Sequence, residues 1–169
     1  MRGSLQHDEN DCGLACILTV CRFLKIRINE IELRKNIFLG NDGLSLYGIT
    51  QVFHTIGIES LPVEATDTEL YSLLSKEKYP IIIMINEDDE YHYVVLYKCN
   101  SHNVFLWDPN KGKRIISKEK FNKIWTGFAI IITEISETEQ KIVSKKSVCW
   151  TALFQQKSCL LDLYSSQSY

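Results

Sequence analysis

The chain is 169 residues long, 45% apolar and 24% charged, with a formal net charge of −2, which suffices for one domain with a substantial core but not for two. The near-neutral balance supplies no field that would steer it towards nucleic acid or an anionic membrane. No apolar run reaches the roughly 18 residues that a membrane-spanning helix needs.

The N-terminus, MRGSLQHDEND, turns acidic at once and has no apolar core, so it does not read as a secretory signal. Its first four residues suit an appended tag as well as native sequence. Residues 12–24 read as a helix, with Leu14, Ile17, Leu18, Cys21 and Leu24 on one stripe. Asp11 is the expected N-cap, which puts Cys12 at the helix N-terminus. Asn29 with Glu32 opens a short second helix, NEIELRKNI. A loop with Gly40, Asn41, Asp42 and Gly43 follows. Ser45 then starts a third helix that carries Leu46, Ile49, Phe53 and Ile56 on one face and ends at Gly57. Thr66 and Glu69 make a capping box for a fourth, TDTELYSLLSK.

From Pro80 the periodicity changes. PIIIMIN predicts a buried strand, DDE a turn and YHYVVLYKC the next strand. SHN turns the chain into NVFLW, and DPNKGK turns it into RIIS. Ser117 caps a short helix, KEKFNKIW, and GFAIIITEI is a last strand. Helices followed by an antiparallel meander predict an α+β domain over residues 1–134. Residues 135–169 read as a separate segment. Its first part, to 147, is a polar linker, and the remainder is a short amphipathic helix or a disordered tail.

Six cysteines are present: Cys12, Cys16, Cys21, Cys99, Cys149 and Cys159. No export signal supports disulfides. Cys21 lies on the opposite helix face from Cys12, at about 100° per residue, so Cys12, Cys16 and Cys21 cannot share a metal. Cys16, Cys21 and Cys99 read as small apolar side chains in or near the core.

Thiol-based acyl transfer needs a thiolate, a base, a group that orients the base, and donors for the oxyanion. At a helix N-terminus Cys12 has the unpaired N–H groups and dipole that favour a thiolate. Alone, it fits a packed structural thiol as well. His92 alternates with Val94 and Leu96 on a predicted strand and reads equally as a core histidine or a base. Asp108 ends a strand before Pro109, which biases it towards extended backbone and aims its carboxylate off the strand end. An ordinary Asp-Pro turn also fits there. His92 and Asp108 sit on adjacent predicted strands, so contact between them is sterically easy. Gln6, six residues before Cys12, is the candidate oxyanion donor together with the Cys12 N–H; alone it reads as a solvated side chain. His54 lies within the third helix, His102 in a hairpin turn, and His7 beside Gln6 without an evident acidic partner.

QHDENDCGLAC resembles the Q-x-x-x-x-D-C-G-x-A signature of bacteriocin-processing cysteine peptidases. These are the N-terminal peptidase domains of ABC transporters that export bacteriocins, lantibiotics and quorum peptides. GLSLYGITQVFHTIGIES, HYVVLY, WDPNKG and FNKIWTGFAIII are similar in order and spacing, so the likeness runs from Gln6 to about Ile131. It implies a papain-like fold, the triad Cys12, His92 and Asp108, an oxyanion hole from Gln6 and Cys12, and no cofactor or metal. Asp108 stands where papain itself uses asparagine. The resemblance also implies cleavage of a precursor's leader peptide after a Gly-Gly or Gly-Ala pair. The leader would be recognised as an amphipathic helix through a hydrophobic surface. The implied partner is a membrane ABC transporter, in cis or in trans, and the implied location is cytoplasmic, at the inner face of a bacterial membrane. Most members continue into a membrane domain and an ATPase, and neither is seen in this chain. Two other readings are another papain-like hydrolase, such as a cell-wall amidopeptidase, and a leader-binding module without catalysis. The presence of Cys12 weighs against the last.

Overall fold

Short polar side chains set the starts of four of the five described helices. The computed structural model describes residues 2–37, 43–76 and 78–136. It contains helices α1 (Cys12–Phe23), α2 (Glu30–Asn36), α3 (Leu46–Thr55), α4 (Asp67–Lys76) and α5 (Lys118–Ile124). The Asn29 side chain accepts from Glu32 N at 3.3 Å, and Ser45 Oγ accepts from Gly48 N at 3.0 Å. Ser117 Oγ accepts from Lys120 N at 3.2 Å. Before α4 the capping is reciprocal: Thr66 N donates to Glu69 Oε2 at 2.8 Å, and Glu69 N donates to Thr66 Oγ1 at 3.4 Å.

The strands are β1 (Ile58–Glu64), β2 (Ile81–Glu87), β3 (Glu90–Cys99), β4 (Asn103–Asp108), β5 (Gly112–Ser117) and β6 (Trp125–Ile135). They form one six-stranded antiparallel sheet in the order β1-β6-β2-β3-β4-β5. From β2 to β5 this is the expected meander. The hairpin between β2 and β3 turns on Asp88 and Asp89, with φ of 60° and 64°, the left-handed pair that matches strand twist. The meander does not describe β6, which returns to lie between β1 and β2. The reason is burial: β2 carries Ile81, Ile82 and Ile83 with both faces covered, and its outer edge is closed by Ile130 and Ala129 of β6. Strand β1 is a further departure, since residues 58–64 carry no expected element. Pro62 and exposed Leu61 suit the sheet edge that β1 occupies.

The sheet is covered on both faces. On one, Leu14 and Ile17 of α1 and Phe53 of α3 pack with Ile82, Val95, Trp107 and Ile130. On the other, Leu70 of α4 and Phe121 and Ile124 of α5 pack with Ile83, Ile85, Val94 and Leu96. Full burial of each such side chain is worth about 1.5–3 kcal/mol, so the first cluster holds α1 against β3 and the second holds α4 and α5 on the opposite face. Strand β6 carries the domain one residue past the expected limit at 134. From residue 137 on, the expected linker and tail, with Cys149 and Cys159, lie outside the described residues, as do Gly40, Asn41 and Asp42.

Candidate active site

Helix α1 presents Cys12 as its first residue, as expected, but Asp11 does not cap it. A 3-10 turn at Glu9–Asp11 runs straight into the helix, and Asp11 has φ −100° and ψ 0° with no side-chain cap bond. Its carboxylate is buried instead. Oδ2 accepts from Arg34 Nη1 at 2.7 Å and from His7 N at 3.3 Å, which ties the loop between Gln6 and Cys12 to α2. Gly13 serves packing: a Cβ there would lie 3.2 Å from Leu44 Cβ, so its absence lets α1 close on the start of α3.

Strand register brings His92 and Asp108 together. Ladder pairing of β4 with β3 ends at Trp107–Val95. His92 and Tyr93 therefore lie beyond the paired stretch, and the head of α1 fits there. Tyr93 O accepts from Cys16 Sγ at 3.3 Å, and the Tyr93 and Gly13 N–H groups both support the Cys12 sulfur. His92 lies in line with Val94 and Leu96, and its Nε2 meets Asp108 Oδ1 at 3.0 Å. That leaves Nδ1 for Cys12, whose sulfur helps to raise the ring's pKa.

Asp108, 1% exposed, is surrounded by donors. Oδ1 accepts from Asn110 N at 2.9 Å and Lys111 N at 3.1 Å, and Oδ2 from Arg114 Nη1 at 2.9 Å. Burial opposes its ionisation, but the bonds from His92, Asn110 and Arg114 hold it far below the usual carboxylate range.

Gly3 and Ser4 are packed into the fold. Gly3 passes so close to α1 and β4 that a Cβ would sit 2.5 Å from Thr19 Oγ1 and from Trp107 Nε1. Ser4 N donates to Thr19 Oγ1 at 2.9 Å, and Trp107 Nε1 donates to Ser4 O at 2.7 Å. Gln6 N then donates to Pro109 O at 2.9 Å, one residue past Asp108. This strap delivers the Gln6 side chain to a cleft of about 420 Å³ that it shares with His92, Asp108, Ile85, Tyr91 and Lys111. Gln6 Oε1 is buried and has no hydrogen-bond partner among the described residues.

The charges at the site are coupled. Burial disfavours the imidazolium, yet the bonds to Asp108 and Cys12 raise the His92 pKa from 6.5 to about 9. Burial likewise disfavours the thiolate, but the bonds from His92 and the Tyr93 N–H, with the His92 charge, leave Cys12 below the ordinary thiol value. Cys16, one turn along α1, is fully buried with no such donors, and burial pushes its thiol well above that value. The lowered Cys12 and raised His92 values both favour a thiolate–imidazolium pair.

The remaining histidines sit apart. His54 is exposed and paired with Glu59 at 2.8 Å, and His7 lies 3.7 Å from Glu30. Two contributors escaped the sequence reading. The Tyr93 backbone carries no residue-type signal. Arg114 stands six positions after Asp108 in a strand of ordinary alternation, and only the β4–β5 register shows that the two share a face.

A thiol at the head of a helix, set against an imidazole on an antiparallel sheet, is the arrangement of the papain-like cysteine peptidases. Their chemistry is peptide-bond cleavage through a thioester. The chain belongs to the peptidase C39 family, whose model matches residues 2–137. It is 31% identical over 165 residues to the lactococcin-G-processing and transport ATP-binding protein LagD of Lactococcus lactis subsp. lactis, covering 94% of this chain and 23% of that protein. It is 28% identical over 142 residues to the sublancin-168-processing and transport ATP-binding protein SunT of Bacillus subtilis (strain 168), covering 83% of this chain and 20% of that one. The chain thus spans only about a fifth to a quarter of the length of these relatives. Among solved structures, the peptidase domain of Streptococcus ComA, a bi-functional ABC transporter, matches with a TM-score of 0.67 and 25% identity over 78% of this chain and 97% of that one. A double glycine motif protease from an AMS/PCAT transporter, in complex with the leader peptide, has the same fold, with a TM-score of 0.67 and 23% identity over 78% of this chain and 92% of that one. No helix among the described residues is long and apolar enough to cross a membrane.

Proposed function

We propose that this peptidase removes the leader from a ribosomally made bacteriocin or lantibiotic precursor, cutting after a Gly-Gly or Gly-Ala pair, at the cytoplasmic face of a membrane ABC transporter that exports the product. The His92–Asp108 bond at 3.0 Å, with Cys12 and His92 each shifting the other's pKa towards the charged form, carries the reading. The processing-and-transport relatives and the leader-bound neighbour support the choice of substrate and partner.

Cys12 thiolate attacks the carbonyl carbon of the second small residue, forming the C–S bond. The oxyanion is met by the Cys12 N–H and the Gln6 side-chain amide. His92 gives its proton to the leaving nitrogen as the C–N bond breaks, which leaves a thioester. Neutral His92 then takes a proton from water, the hydroxyl adds, and Cys12 departs again as thiolate. Asp108 keeps the ring in one tautomer and orientation throughout. The leaving amine must lie on the His92 side of the sulfur, so the cleft shared by His92, Gln6 and Tyr91 receives the segment after the cut.

The test is incubation with a precursor carrying a double-glycine leader, read by mass spectrometry, beside Cys12→Ala. Cleavage after the pair, lost in the variant, is the expected result. Cleavage by Cys12→Ala would end the proposal. Hydrolysis of cell-wall peptides alone would point to an amidopeptidase, and binding of the leader without cleavage to a recognition module.

A further inference from the structure

Arg114 plays no part in the chemistry above, yet its guanidinium is held on two sides behind the site. Nη1 donates to Asp108 Oδ2 and Nη2 to Glu87 Oε1, each at 2.9 Å. The Arg114 and Glu87 side chains are 12% and 15% exposed. Glu87 is itself gripped by Lys111 Nζ at 2.9 Å and Lys120 Nζ at 3.2 Å. The brace therefore joins β5, the end of β4, the end of β2 and α5.

The distribution of bonds on Asp108 gives Arg114 its importance. His92, Asn110 and Lys111 all bind the same oxygen, Oδ1. Three bonds to one oxygen fix a point but not a plane. The terminal carboxylate torsion is broad and roughly two-fold, so the group could still turn about that point and tilt its lone pairs away from the imidazole. Arg114 holds the opposite oxygen and thereby fixes the plane. The guanidinium is a planar fork, so the angle between its two carboxylate partners is set by covalent geometry, which a lysine cannot reproduce.

We propose that Arg114, clamped by Glu87, is a positioning residue that fixes the carboxylate plane of Asp108 and through it the aim of His92. This rests on the roles given above to Cys12, His92 and Asp108. Arg114 touches neither substrate nor sulfur, and all of its effect on turnover passes through Asp108.

The experiment is a double-mutant cycle on the whole chain: Arg114→Met, Asp108→Asn and the two together, with Arg114→Lys beside them. Two readouts are taken. One is single-turnover cleavage of a double-glycine precursor. The other is the pH profile of Cys12 alkylation by iodoacetamide, which needs no substrate. Misaim of this kind costs roughly 10–100-fold, so Arg114→Met should lower the cleavage rate by that factor with little change in KM. It should also move the acid limb of alkylation to higher pH. In the Asp108→Asn background the same substitution should add less than about threefold and no further movement of the limb. Arg114→Lys should not restore the wild-type rate. An equal loss in both backgrounds would overturn the proposal, because the effect would then not pass through Asp108. So would an unchanged alkylation profile in Arg114→Met, or full rescue by lysine. A wild-type chain that cleaves no precursor would defeat the substrate assignment, while the alkylation cycle would still decide the role of Arg114.

Discussion

Replacing Asp108 by Asn tests the electrostatics of the site most directly. His92 titrates near 9 instead of 6.5, which at about 1.4 kcal/mol per pH unit is ~3 kcal/mol in favour of the protonated ring. Burial works against that proton, and two partners, Asp108 and Cys12, supply the support. Removing the Asp108 charge leaves burial opposed by Cys12 alone, so the His92 pKa should fall by at least about one pH unit. Global stability is a poor assay here, for a reason of sign. A raised His92 pKa stabilises the fold fully below pH 6.5, and the contribution is lost as pH rises through about 9. A lowered Cys12 pKa stabilises it above the ordinary thiol value, and that contribution is lost as pH falls through the folded value. Between the two ordinary values folding gives a proton to His92 and takes one from Cys12, so the net proton linkage nearly cancels. The ring itself must be watched, by NMR titration of labelled His92 in wild type and in Asp108→Asn. A variant ring that still titrates near 9 would show that Asp108 does not hold the proton.

Other outcomes follow from the same geometry. The rate of cleavage should form a plateau that begins below the ordinary thiol pKa and declines through about pH 9 as His92 loses its proton; a rate that still climbs through pH 9 would contradict the ion pair. Iodoacetamide at mildly acidic pH should label Cys12 and spare Cys16, whose thiol is buried and pushed up, as read by peptide mass spectrometry. Gly3→Ala places a Cβ 2.5 Å from Thr19 Oγ1 and Trp107 Nε1, so the strap must shift, and turnover should drop with Gln6 displaced. Trp107→Phe leaves the buried Ser4 carbonyl without its 2.7 Å donor and should cost about 1–3 kcal/mol in urea unfolding.

The helices were legible because their starts are written locally. Asn29–Glu32, Ser45–Gly48 and Thr66–Glu69 need only neighbours in the chain, and each forms the bond its spacing implies. The contact between His92 and Asp108 was legible for a similar reason, since one short turn separates their strands. What stayed hidden depends on distant partners. Asp11 looks like a cap until Arg34, from another helix, claims its carboxylate. IESLPVE has no strand pattern of its own, because an edge strand with Pro62 takes its order from β6. Arg114 aligns with Asp108 only after β4 and β5 pair, and Gly3 matters only once Thr19 and Trp107 close around it.

The placement of β6 bears on when the molecule comes alive. Its 11 residues form the last of the described strands in chain order, yet they complete the middle of the sheet and give β1 its sheet neighbour. Contacts of such long sequence separation carry a loop-closure cost and slow assembly. A nascent chain short of Trp125 therefore holds an incomplete sheet under α1, and the thiol gains its settled neighbours only when β6 slots in. Hydrolytic competence should therefore wait on β6, which keeps chains that have not yet made it from acting on anything.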